Sequence, residues 1–165
     1  MKPKHFYLTV FILFLIACGS NKSDYFEAIN SNDFGHYRGV EIGMKINEVK
    51  AIEDENFLKD EMPTYLHYDV SLDMGNSYTV SYDFSSEDEL YEIEMNSFFD
   101  IIDDAQKLMD DFKEFFHEKY GDESVSEDGY LIWKINNSGK DVEFAMKNES
   151  EEYGILVLKI RDLEY

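Results

Sequence analysis

The side chains that could catalyse a reaction or ligate a metal are few in this chain. It contains four histidines and one cysteine among 165 residues, and it lacks the G-x-S-x-G, H-E-x-x-H and glycine-rich phosphate-loop motifs. His5 lies in an apolar N-terminal stretch, whereas His36, His67 and His117 lie among polar or acidic neighbours. Two of these three would have to converge to bind a metal, and we expect all three to be exposed instead. The sequence therefore predicts no catalytic centre, no metal site and no cofactor, and we interpret the chain as a non-enzyme.

Carboxylates are the most abundant charged groups. Asp and Glu number 36 against 15 Lys and Arg, which gives a formal net charge of −21. This charge excludes a nucleic-acid-binding protein, because phosphates require a basic surface. No acidic run has the D-x-[DN]-x-[DN]-G spacing of a calcium loop, and the nearest candidate, Asp122-Glu123 with Glu127-Asp128-Gly129, lacks its alternation. We expect a solvated acidic surface, and a cation- or ligand-binding protein remains the alternative function.

The only cysteine follows an apolar stretch at the N-terminus. Lys2 and Lys4 precede residues 6–17, which are apolar apart from Thr9. This stretch is too short to span a bilayer as a helix, which takes about 20 residues, but it matches the apolar region of a secretory signal peptide. A single cysteine also excludes a disulfide scaffold within the chain.

The residues around Cys18 resemble the lipobox of bacterial lipoproteins. Leu15 occupies the usual large apolar position, and the small residues Ala17 and Gly19 flank the cysteine. The resemblance implies that residues 1–17 are a removable signal peptide and that Cys18 becomes a lipid-modified N-terminus. Several acyl chains anchor a protein stably, whereas one chain binds membranes only marginally. Gly19, in place of an aspartate, implies the outer membrane of the bacterial envelope by the sorting rule of enteric bacteria.

The remaining sequence predicts an α+β domain behind a flexible tether. Residues 18–38 are assigned to this tether, since 19–33 are polar and short of β-branched residues. Within it, the alternative to a free tether is that Tyr25, Phe26 and Ile29 form a helical turn that docks on the domain. Beyond residue 39, two stretches have the spacing of amphipathic helices and six have the alternation of half-buried strands. The predicted helices are about 47–58 and 100–120, and the predicted strands are 66–72, 78–84, 91–95, 131–135, 142–146 and 155–160. This order gives a helix plus a three-stranded antiparallel meander twice, in units of about 39–97 and 98–165 that pack as a helix/sheet layer.

The entry into the first predicted helix resembles that of a known domain group. The segment 42–49, Ile-Gly-Met-Lys-Ile-Asn-Glu-Val, is similar to the G-M-T-x-x-x-V motif of BamE and β-lactamase-inhibitor-protein-like domains, with Lys45 in place of the threonine. The second unit has no such motif. The resemblance implies a tandem helix-plus-meander fold and a function in protein–protein binding, as an inhibitor or an envelope assembly factor.

Aromatic side chains are the remaining candidates for a functional surface, at 16% of the sequence. Most have the spacing of core residues. Tyr68, Tyr78 and Tyr82 alternate along two predicted strands, and if they face outward they would anchor a protein partner, since tyrosine is common in interface hot spots. The sequence therefore predicts an acidic, membrane-anchored interaction module of the assembly-factor or inhibitor and immunity type, and its charge favours a basic protein as the partner.

Overall fold

The computed structural model describes residues 22–165 as three helices and eight strands. The predicted signal peptide and Cys18 lie outside the described residues. The helices are α1 (Asp24–Ile29), α2 (Ile46–Ile52) and α3 (Ile102–Tyr120). The strands are β1 (Leu58–Met62), β2 (Tyr65–Ser71), β3 (Ser77–Phe84), β4 (Leu90–Phe99), β5 (Ser124–Val125), β6 (Leu131–Asn137), β7 (Lys140–Asn148) and β8 (Gly154–Asp162). No helix within residues 22–165 is long and apolar enough to cross a membrane.

All eight strands belong to one antiparallel sheet, in the order β1-β2-β3-β4-β8-β7-β6-β5. Strands β4 and β8 pair over eight residues at its centre, so the predicted α+β class with antiparallel strands is confirmed. Two more strands are present than the sequence predicted, namely the edge strands β1 and β5. The predicted helix 47–58 is also shorter, because α2 ends at Ile52 and the chain then turns into β1.

One face of the sheet forms the core because every second side chain of each strand points to the same side. Strand β3 shows this plainly: Tyr78, Val80, Tyr82 and Phe84 are buried, and the residues between them are partly exposed. The same alternation buries Ile93 and Met95 of β4 and Leu156, Leu158 and Ile160 of β8.

Helix α3 covers this core face over β4, β8, β7 and β6. Its buried residues, Ala105, Leu108, Phe112 and Phe116, follow the spacing of one helix face. The helix ends at Gly121, whose φ of +87° favours glycine, and the Gly121 carbonyl accepts a hydrogen bond from Trp133 Nε1 at 3.1 Å. The start of α3 lies so close to the start of β8 that a Cβ at Gly154 would be 2.8 Å from the Ile101 carbonyl oxygen.

The described part of the predicted tether packs against the domain. Within residues 22–38, α1 buries Phe26 and Ile29, and Phe26 contacts the rings of Phe112 and Phe115 of α3 at centroid distances of 4.9 and 5.6 Å. Tyr37 is 1% exposed. The apolar residues in this otherwise polar segment therefore complete the core, and the folded domain begins well before residue 39.

Candidate functional site

The face of the sheet opposite α3 is left open. No described helix packs over it, and side chains from β2, β3, β4, β8, β7 and β6 form it. Their cross-strand register arranges them in rows. One row is Asp83, Glu92, Arg161, Glu143 and Lys134. The next is Ser81, Glu94, Lys159, Ala145 and Ile132, and the third is Thr79, Asn96, Val157 and Lys147.

Charges of opposite sign occupy opposite halves of this open face. We call β2–β4 its acidic half, which presents Asp69, Asp83, Glu92 and Glu94. We call β6–β8 its basic half, which presents Lys134, Lys147, Lys159 and Arg161 together with two carboxylates, those of Glu143 and, at the end of β7, Asp141. The pairing of β4 with β8 brings the two halves into contact.

The carboxylates of the acidic half lie close enough to repel one another. Burial raises the pKa of Asp83, and the charge of Glu94 raises it further. Burial also raises the pKa of Glu92, and there the repulsion from Asp83 and Glu94 opposes the attraction of Lys159. A cation placed against this half by a partner would relieve that repulsion.

Ion pairs fix the cations of the basic half in place. Arg161 donates from Nε and Nη2 to Glu143 Oε1 at 3.0 and 2.6 Å, and Lys134 Nζ lies 3.1 Å from Glu143 Oε2. Burial of the Glu143 carboxylate opposes ionisation, but hydrogen bonds from Arg161 and Lys134 outweigh it and lower the pKa of Glu143. Lys159 is held in the same way, with Nζ 2.8 Å from Glu94 Oε2.

A groove lies between the basic half and the hairpin that joins β5 to β6. Its volume is about 510 Å³, within the range of sites that bind small molecules or peptide side chains. Ile132 and Ala145 give it an apolar floor, and Val125, which is 67% exposed, borders it. The remaining lining residues are polar or charged: Ser124, Ser126, Asp128, Tyr130, Lys134, Glu143, Lys159 and Arg161.

The tyrosines predicted to anchor a partner lie on the core face. Tyr68, Tyr78 and Tyr82 are at most 4% exposed, so their rings are not available to a partner in this structure. The Tyr78 hydroxyl accepts a hydrogen bond from Arg38 Nη1 at 2.9 Å, and the Tyr82 hydroxyl donates to Glu53 Oε1. Burial, together with the charge of Glu53, raises the pKa of Tyr68 to about 12. Alternation correctly placed the three tyrosines on one side of the sheet, but that side is the covered one.

The histidines do not converge on a metal site. His36 was expected to be exposed but is buried, at 3% exposure, where its Nδ1 accepts a hydrogen bond from the Ile42 amide at 3.0 Å. His67 lies on the open face beside Ser81, and His117 is exposed near Asp122. Within residues 22–165 no group of three or more His, Cys, Asp or Glu side chains is placed to hold a metal ion.

The residues of the basic half were not singled out from the sequence. Lys159 and Arg161 alternate along one strand, but their neighbours Glu143 and Lys134 come from two other strands, and only the register brings them together. Comparison of the chain with family models, curated proteins and solved structures gave no match. The function is therefore inferred from the residues themselves.

Proposed function

We propose that this chain is a lipid-anchored lipoprotein of the bacterial cell envelope that binds a protein partner on the open face of its sheet. The observation that supports this function best is the open face itself. It extends over six strands, it has no covering element among the described residues, and its charges are sorted into two halves. Such a surface is broad and shallow, as protein interfaces are.

The proposed anchor is a lipid on Cys18. It rests on the similarity of the segment 15–19 to a lipobox and on the basic and apolar residues before it. Gly19 favours the outer membrane as the destination. The net charge of −21 repels an anionic membrane surface, so attachment would depend on the lipid.

The charge of the protein favours a partner with a basic surface. Long-range attraction speeds the encounter with a positively charged protein, and the acidic half of the open face offers Asp83, Glu92 and Glu94 as direct contacts. An assembly factor and an inhibitor or immunity protein are both compatible with this mode of binding.

We also infer that the domain consists of two related units. In each half of the chain a helix precedes an antiparallel run of strands, and the strand order is mirrored about the β4–β8 pair. Strands β1 and β5 are edge additions to the two predicted three-stranded meanders. This symmetry is what supports the proposed relationship to BamE and β-lactamase-inhibitor-protein-like domains.

Site-specific cross-linking in the producing cells tests the binding face. A photoreactive amino acid at Asn96 or Thr79 would probe the open face, and one at Glu118, on the exposed side of α3, is the matched control. We expect a discrete cross-linked protein from positions 96 and 79 and none from 118. Absence of a cross-link from the open face, or the same products from α3, would overturn the proposed binding face.

The anchor is tested separately with a Cys18→Ala variant. We expect it to lose incorporation of labelled fatty acid and to leave the membrane fraction. A Ser20→Ala variant is the matched control and should remain acylated. Membrane association of Cys18→Ala without acylation would contradict the lipobox interpretation.

A further inference from the structure

We propose that the basic half of the open face binds an extended acidic segment of the partner protein, which runs along the strand direction over β6–β8 with the groove at its centre. This inference rests on the proposed function and specifies the chemistry of one part of the partner. It differs from what the net charge alone suggests, because a strongly acidic protein would be expected to repel an acidic segment.

The basic half is a local exception to the charge of the molecule. Fifteen Lys and Arg stand against 36 Asp and Glu in the chain, yet Lys134, Lys147, Lys159 and Arg161 share this one surface with only two carboxylates from β6–β8, Glu143 and Asp141. Beyond the end of β7, Glu149 Oε1 lies 3.8 Å from Lys147 Nζ. Lys134 and Arg161 both bond to Glu143, so its charge is more than balanced. An acidic segment therefore meets four cations against the two carboxylates of these strands here, and carboxylates without Lys or Arg from β2–β4 over the neighbouring acidic half, which limits where it can bind.

Some hydrogen-bond donors on the cations of the basic half are not used within residues 22–165. Arg161 uses Nε and Nη2 on Glu143, and its Nη1 has no hydrogen-bond acceptor among residues 22–165. Lys134 and Lys159 each lie within ion-pair distance of one carboxylate oxygen, whereas an ammonium group has three donors. Because Glu143 and Glu94 already hold these side chains in position, a ligand carboxylate loses less side-chain entropy on binding.

The spacing of the cations selects an extended polypeptide over a single small anion. Arg161 and Lys134 share one row, Lys159 lies in the next row and Lys147 in the third. Adjacent rows on one face of a sheet are two residues apart, about 6.6 Å. An extended peptide presents every second side chain at this same interval, so acidic residues at alternate positions reach successive rows. The apolar floor of Ile132 and Ala145 accommodates an aliphatic or aromatic side chain of the segment.

Binding of a defined peptide to the full-length chain in detergent tests this inference. The probe is a fluorescein-labelled decapeptide with Glu at alternate positions. Its controls are the same peptide with Gln for Glu and a peptide of equal composition with its Glu in one block. We expect the alternating Glu peptide to bind about tenfold more tightly than the Gln peptide, a difference of about 1.4 kcal/mol, and to weaken as salt rises. The block peptide should bind less tightly than the alternating one.

Three variants locate the binding site. Lys147→Gln/Lys159→Gln should weaken binding of the Glu peptide by about tenfold. Lys107 is exposed on α3, and Lys107→Gln should leave the affinity unchanged. Lys134→Gln/Glu143→Gln/Arg161→Gln removes the buried carboxylate together with its two cations, so that no unpaired charge remains. The near-ultraviolet dichroism of Trp133 reports whether each variant is folded.

Each of the following outcomes would overturn the inference. Equal affinity for the Glu and Gln peptides excludes recognition of carboxylates, and equal losses in Lys107→Gln and Lys147→Gln/Lys159→Gln exclude this site. Tighter binding of the protein to anionic lipid vesicles than to the peptide, abolished by the same double variant, would assign the basic half to a membrane surface instead. If cross-linking from Asn96 captures a partner but the Glu peptide does not bind, the proposed function stands and only this inference fails.

Discussion

A buried ion pair at Arg38 and Glu53 joins the N-terminal segment to the sheet. Arg38 Nε and Nη2 donate to the two Glu53 carboxylate oxygens at 2.9 and 2.8 Å, and Nη1 donates to the Ile29 carbonyl at 2.6 Å. The Tyr82 hydroxyl completes the contacts to Glu53. The charges lie out of water, so each is tolerated only because the other is present.

Removal of one partner of this pair should destabilise the domain strongly. Glu53→Gln leaves the Arg38 guanidinium buried without its counter-charge, and we expect a loss of about 3–5 kcal/mol in the free energy of unfolding. Urea denaturation followed by far-ultraviolet dichroism measures it. Glu61→Gln, which breaks the exposed Lys50–Glu61 pair, is the matched control and should cost about 0.5 kcal/mol. Equal losses of unfolding free energy in Glu53→Gln and Glu61→Gln would show that the buried pair contributes no more to stability than the exposed pair.

His36 makes stability depend on pH below neutrality. Burial, with the nearby charge of Lys119, lowers the pKa of His36 from 6.5 to about 4, and protonated Nδ1 can no longer accept the Ile42 amide hydrogen. The unfolded chain therefore binds this proton more readily than the folded one. The contribution to stability is complete above pH 6.5 and is lost as the pH falls toward 4, amounting to about 3 kcal/mol.

Urea denaturation at several pH values checks the contribution of His36. The pKa values of carboxylates such as Glu143 and Asp162 are lowered in the folded state, so their protonation in acid also destabilises the fold. The informative quantity is thus the difference between the native chain and His36→Asn. We expect the variant to be less stable at pH 7 and the difference to shrink as the pH approaches 4. A difference that is constant with pH would exclude titration of His36 as its cause.

At the scale of elements, the close approach of α3 and β8 depends on Gly154. A Cβ at this position would lie 2.8 Å from the Ile101 carbonyl oxygen and 3.0 Å from the Ala105 and Phe99 Cβ atoms. Backbone at the start of α3 would have to move, because Ile101 cannot give way by rotating a side chain. We expect Gly154→Ala to cost about 1–3 kcal/mol in the free energy of unfolding, as overpacking does.

A second substitution separates overpacking from a change in strand propensity. In Gly154→Ala/Ala105→Gly one of the three crowding atoms is removed, so the double variant should cost less than the sum of its single variants. Thermal unfolding of the four proteins of this cycle gives the coupling energy. If the free-energy losses of the two single variants add strictly in the double variant, the contact between α3 and β8 is not the cause of the loss in Gly154→Ala.

The elements that the sequence predicted well are those whose burial is periodic. The predicted strand 78–84 and the predicted helix 100–120 nearly coincide with β3 and α3, because one side of each contacts the core. Strand β1, Leu-Lys-Asp-Glu-Met, has no such signal, since it lies at an edge and is mostly exposed. Helix α2 ends early, before Glu53, whose backbone is extended and whose side chain pairs with Arg38, 15 residues earlier in the chain.

The candidate site was less predictable than the fold for a related reason. Alternation shows which side chains share a face, but it does not show which face the helices cover, and so it left open whether Tyr68, Tyr78 and Tyr82 face outward. The division of charge on the open face arises where β4 pairs with β8, which are separated in sequence by α3 and three strands. No local sequence pattern predicts that pairing.

For the whole molecule, the place where the chain enters the domain determines how a lipid anchor would orient it. Lys22 Nζ lies 2.7 Å from Glu114 Oε2, and the Ser23 amide donates to Asp111 Oδ2 at 2.9 Å. Both acceptors are on α3, on the covered side of the sheet. Only three residues separate Lys22 from Cys18, a span of about 14 Å even when fully extended. An anchored chain would therefore hold α3 toward the membrane and the open face away from it.

Quenching by lipids measures this orientation directly. Acylated protein labelled on a cysteine at Glu118 or Thr79 is reconstituted into vesicles that contain nitroxide headgroup lipids. Glu118 is one turn from Glu114 on α3, and Thr79 is on the open face, so we expect stronger quenching at 118 than at 79. Insertion of a 20-residue Gly/Ser linker after Ser20 frees the domain to rotate and should remove the difference. Equal quenching at the two positions without the linker would show that the N-terminal contacts with α3 do not orient the domain.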